Sequence, residues 1–146
     1  MAWRVMTEQD LAAHISQREI DEFRLSQGFV DGMTPDPVKD LLLCASEEIR
    51  GACRAYPGIR LCPKQYTIPE SLVATASEIV AYRLLKRMPL QIEITDARTN
   101  AYNQAMERLA KVATGAFLPE SYNSTDLTNN RNIPLYGMVF RPRILR

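Results

Sequence analysis

The chain has 146 residues, enough for one domain and thin for two. Apolar residues make up 46% and charged residues 24%, and 18 basic groups against 17 acidic ones leave a formal net charge of +1. That balance argues against a bulk-basic nucleic-acid binder and against a strong field steering anions, and no apolar run approaches the roughly 18 residues that span a bilayer.

In chain order, the opening MAWRVMTEQD lacks the apolar stretch of a signal peptide. Thr7 can cap a helix and Asp10 follows three residues later, a variant of the capping box. Leu11, Ala12 and Ile15 share one face of that predicted first helix. Ser16 with Glu19 repeats the capping pattern and opens a second short helix, with Ile20 and Phe23 as its apolar positions. Two caps nine residues apart predict a bent helical pair rather than one rod. Gly28, Asp31-Gly32 and Pro35 then mark a turn-rich stretch.

Asp36 as cap and Pro37 at the first helical position start a third helix. Its apolar series runs Val38, Leu41, Leu42, Ala45, Ile49, Ala52, Cys53, Tyr56, while Glu47, Glu48, Arg50 and Arg54 fall mostly on the opposite face. Gly51 sits in its interior, either simply tolerated or admitting a close neighbouring helix. Pro57-Gly58 ends it. Thr67 or Ile68 followed by Pro69 predicts the start of a fourth helix, whose broad stripe of Leu72, Val73, Ala76, Ile79, Val80, Leu84 and Leu85 marks a central, largely buried element. Thr95 caps a fifth, with Ala101, Ala105, Leu109 and Val112 inward and Gly115 as its stop.

After residue 118 the helical period disappears. The polar YNSTDLTNNRN is followed by IPLYGMVFRPRIL, apolar and partly aromatic, with room for one short strand at 135–140. The expected fold class is therefore all-α: a small bundle of four to five helices over residues 1–118 and an extended C-terminal arm over 119–146. A structureless stretch this long is unusual in a compact domain, and its end is too apolar for a plain disordered tail. Leu135, Tyr136, Met138, Val139, Phe140, Ile144 and Leu145 call for a covering surface, on the same chain, a sister copy or a partner.

Charge is uneven. Residues 1–34 carry three basic and six acidic groups, and residues 119–146 carry Arg131, Arg141, Arg143 and Arg146 against Glu120 and Asp126. The arm uses arginine alone, which suits bidentate and stacked contacts at interfaces. Arg83, Lys86 and Arg87 with Arg108 and Lys111 are either a basic patch or ordinary solvated charges near helix ends.

No reaction centre is legible. Cys44, Cys53 and Cys62 are odd in number and form no C-x-x-C pair, which fits a reducing compartment without disulfides. The single histidine, His14, reads as a boundary residue, and neither a nucleophile elbow nor a phosphate loop occurs. The expectation is a non-enzymatic protein with no metal, no cofactor and no membrane contact.

Three stretches carry a resemblance: PDPVKDLLLCASEEIRGACRAY at 35–56, PESLVATASEIVAYRLLKR at 69–87 and AYNQAMERLAKVATGAF at 101–117, preceded by Trp3 and by Thr7 through Leu11. In this order they resemble the Mu-like prophage head–tail connector (head-completion) proteins of tailed phages. The resemblance implies a ring of sister subunits, commonly twelve, beneath the portal protein. A tail, stopper or terminator protein would follow, and DNA would pass non-specifically through the channel. It implies residence in the host cytoplasm during assembly and at the head–tail joint of the virion afterwards, and no catalytic residues. On that footing Tyr136, Phe140, Arg141, Arg143 and Arg146 are expected to dock the arm on another subunit or the portal; folding back over its own helices is the alternative. The competing function is a nucleic-acid-binding packaging or regulatory adaptor.

Overall fold

The computed structural model describes residues 3–88 and 95–122. Within them lie four α-helices, with one two-stranded sheet at an end of the bundle. The order is β1 (Trp3–Val5), a 3-10 helix (Glu8–Ala13), α1 (Gln17–Ser26), α2 (Pro37–Ala55), β2 (Thr67–Pro69), a short 3-10 turn (Glu70–Leu72), α3 (Val73–Lys86) and α4 (Asp96–Thr114).

The caps fall where the sequence places them. Asp10 takes the Thr7 N–H at 2.7 Å, Glu19 takes the Ser16 N–H at 3.1 Å, Asp36 takes the Val38 N–H at 3.0 Å and the Thr95 hydroxyl takes the Arg98 N–H at 3.3 Å. Between the first two caps only six residues are helical, and they form a 3-10 helix. So short a segment hardly recovers the cost of nucleating an α-helix, and 3-10 geometry serves such pieces. α4 stops at Gly115, whose φ of 86° is the left-handed conformation that glycine adopts without strain.

α3 is the centre. Nine of its fourteen residues are buried, which is why the apolar stripe looked too wide for a surface helix. α2, α4 and the N-terminal 3-10 helix all pack on it. Phe23 and Ile20 of α1 and Leu11 are likewise buried in the one core. α3 and α4 run antiparallel: Tyr82 stacks on Tyr102 at 4.1 Å between ring centroids, and Arg108 reaches the Thr75 hydroxyl at 3.4 Å.

Two expectations need correction. The fourth helix does not open at Thr67–Pro69. Those residues form β2, antiparallel to β1 with Trp3 opposite Pro69 and Val5 opposite Thr67, and α3 begins at Val73. A three-residue strand ending in proline carries no alternation that sequence alone would reveal. Arg50 is not on the solvent face of α2 but 8% exposed. Its guanidinium donates to the carbonyls of Cys62 (2.9 Å), Lys64 (3.3 Å) and Thr67 (3.0 Å) and to the Thr67 hydroxyl (3.1 Å), and lies 6.0 Å over the Trp3 ring. Loop carbonyls turned inward need donors, and the five-donor fork supplies them. Of the two readings of Gly51, simple tolerance holds, since no atom lies within 4 Å of where a Cβ would stand.

Candidate functional site

Residues 119–122, the start of the expected arm, lie on the body. The Trp3 indole N–H donates to the Glu120 carbonyl at 3.0 Å. The Glu120 carboxylate takes the Ser71 N–H at 3.2 Å and also its hydroxyl, so an anion sits at the start of the 3-10 turn leading into α3. The Arg60 N–H donates to the Ser121 hydroxyl at 2.9 Å, and the Tyr122 N–H donates to the Arg60 carbonyl at 2.8 Å. Burial pushes the Glu120 carboxyl up, but the Ser71 hydrogen bonds and the backbone outweigh it and hold the group below its ordinary range. Trp3, Arg50 and Glu120 thus close the end of the molecule at which the described chain stops. Tyr56 completes the closure: a Cβ on either Gly58 or Gly115 would overlap its ring. Cys53 is buried beneath, its thiol pushed up to about 11 by desolvation, which suits a packing residue rather than a nucleophile.

The expected docking residues Tyr136, Phe140, Arg141, Arg143 and Arg146 lie outside the described residues. The five basic residues do not form one patch. Arg83, Lys86 and Arg87 stand at the C-terminal end of α3, while Arg108 and Lys111 stand beside its N-terminal half, as the antiparallel helix pair requires. Arg83 is engaged by Glu48 of α2, Lys86 lies 5.6 Å over the Tyr82 ring and Arg108 lies 5.8 Å over Phe117. Arg83 thus ties α3 to α2, Arg108 ties α4 to Thr75 of α3 and to Phe117, and the Lys86 contact lies within α3.

At the other end of α2 an ion-pair cluster braces the turn from α1. Arg24 reaches Asp36 at 2.9 Å and Glu8 at 3.1 Å, and its guanidinium lies 5.7 Å over Phe29. Burial pushes the Asp36 carboxyl up, but the Arg24 hydrogen bond and the α2 N-terminal N–H groups hold it below the carboxylate norm. Glu19 is held low chiefly by Arg98 of α4, 3.0 Å away, and Asp10 chiefly by Arg4, 2.9 Å away.

His14 lines a cleft of about 220 Å³ with Glu78, Tyr82 and Arg98, bounded by Ala13, Ala81, Leu85, Ala97 and Ala101. Of its polar groups, Arg98 is engaged by Glu19 and Tyr82 stacks on Tyr102. Among the described residues no cluster of three or more His, Cys, Asp or Glu could hold a metal ion, and no helix is long and apolar enough to cross a membrane.

The described residues form a small helical body, closed at one end of α2 and braced by ion pairs at the other. The family described as Bacteriophage Mu, Gp36 matches residues 6–132, and the chain belongs to that family. No curated protein and no solved structure matches it.

Proposed function

We infer that this protein is a non-enzymatic head–tail connector subunit of a Mu-like tailed phage. It forms a ring of sister copies, twelve in the commonest arrangement, beneath the portal and joins the DNA-filled head to the tail. Membership of the Mu Gp36 family over residues 6–132 is the observation that carries the reading. The helical body supports it, as do Tyr136, Phe140, Arg141, Arg143 and Arg146, since aromatic and arginine side chains dominate interface energetics. DNA passes the ring without being read. The separation of Arg83, Lys86 and Arg87 from Arg108 and Lys111 is a reason against a dedicated phosphate-binding face.

The test is a phage lacking this chain. Its heads should fill with DNA and fail to join tails, and chain supplied afterwards should restore joined particles that contain it. Normal particles without the chain, or a chain confined to the lysate, would overturn the reading. A salt-sensitive shift of duplex DNA by the free protein at physiological ionic strength would instead favour the packaging or regulatory adaptor.

A further inference from the structure

The turn from α1 to α2 is firmly built and yet displays apolar side chains. Thr34 closes it, its hydroxyl accepting from the Val30 N–H at 2.8 Å and its N–H donating to the Val30 carbonyl at 3.0 Å. Arg24, tied to Asp36 and Glu8, fixes it to the body. Leu25 is 77% exposed, Val30 49% and Met33 81%. Asp21, which accepts from the Gln17 amide at 3.0 Å, and Asp31 stand exposed nearby and enter no ion pair among the described residues. Leu25 at the end of α1 and Val30 and Met33 on the braced turn are thus large apolar groups displayed near two acids that enter no ion pair, a candidate docking surface rather than a slack loop.

We propose that this turn receives the C-terminal segment 133–146 of a neighbouring copy. The inference rests on the assembly reading above and names the surface through which copies join. The segment matches the turn in kind: it brings Leu135, Tyr136, Met138, Val139, Phe140, Ile144 and Leu145 to the apolar groups, and Arg141, Arg143 and Arg146 to the aspartates. The assembly reading makes the neighbour, rather than the same chain, the donor, and the trapping described below separates the two. The described chain stops at Tyr122, beside Arg60 and past the C-terminal end of α2, while the turn lies at the N-terminal end, where Asp36 caps the helix. α2 has 19 residues and is therefore about 28 Å long. The ten residues 123–132 reach about 36 Å at full extension, so within one chain the segment would have to run back along the length of α2 to meet the turn. A copy placed head to tail removes that demand. Two different complementary surfaces on one chain generate a heterologous contact, which closes into a ring when the rotation allows.

Disulfide trapping in the full chain tests this. Met33→Cys and Phe140→Cys are made separately on a Cys44→Ser background, because Cys44 is the exposed native thiol. They are mixed, oxidised mildly and resolved without reductant. The mixture should give a linked two-chain product at least tenfold above either variant alone. Adding Leu25→Asp and Val30→Asp to the Met33→Cys copy should reduce it at least tenfold, with the circular dichroism spectrum unchanged because both positions face solvent. A chain carrying both cysteines that closes on itself at high dilution, with no linked pair in the mixture, would overturn the proposal, and so would no linked product in either. Particle incorporation is read separately. Incorporation without trapping sinks this inference alone, whereas trapping without incorporation sinks the connector reading.

Discussion

The two ends of α2 are built on opposite principles. At its C-terminal end Arg50, Trp3, Tyr56 and Glu120 draw a loop, a strand and residues 119–122 into a closed junction, and the polar groups of Arg50, Trp3 and Glu120 have partners there. At its N-terminal end Arg24 braces the turn with equal care, but Leu25, Val30 and Met33 are left outside. The difference shows that rigidity and coverage are separable. The first end is finished by its own chain, and the second is held in shape for something else to finish.

If the closed end depends on the buried guanidinium, Arg50→Met should cause the largest loss. Three loop carbonyls would lose their donor at once, a cost of about 3–5 kcal/mol, read as a lowered urea midpoint. Gly115→Ala should follow at about 2–4 kcal/mol, because a side chain there is strained at a φ of 86° and also meets the Tyr56 ring. Glu120→Gln should cost about 1 kcal/mol, of the order of losing a helix cap. The lone tryptophan, Trp3, should report it as a red-shifted emission, since its indole is bonded to the Glu120 carbonyl.

Acid should loosen both ends together. Glu120, Asp36, Asp10 and Glu19 are all held below their ordinary values in the fold. The stability they contribute is therefore present above about pH 4, where the unfolded carboxylates ionise, and is lost as pH falls through the lower folded values. Thermal melts at successive pH values should show that decline, and Asp36→Asn with Glu120→Gln should flatten part of it. The smallest effect should be a gain. Gly51→Ala meets nothing within 4 Å and should stabilise α2 by up to about 1 kcal/mol, visible as a higher melting temperature.

The helices were legible because their signals are local. Ser16 with Glu19, Asp36 with Pro37, and Thr95 with Gly115 mark ends within a few residues of chain, and the wide stripe of α3 announced its central place. The closed junction was hidden because it is assembled from Trp3, Arg50, Thr67 and Glu120, which only tertiary folding brings together. Arg50 shares its charge with the solvated residues around it on α2, and only the inward-facing carbonyls of a distant loop single it out. The displayed turn was read as turn chemistry, and no local pattern says that Leu25 and Met33 stay uncovered. The basic residues of α3 and α4 looked contiguous on paper, but the antiparallel pairing of Tyr82 with Tyr102 separates them.

Electron microscopy of this chain bound to its portal tests the central claim most directly. The account predicts a closed ring in which residues 25–33 of each copy are covered by residues 133–146 of the next. A ring with that turn facing solvent and each C-terminal segment laid over its own helices would contradict it, as would isolated copies on the portal.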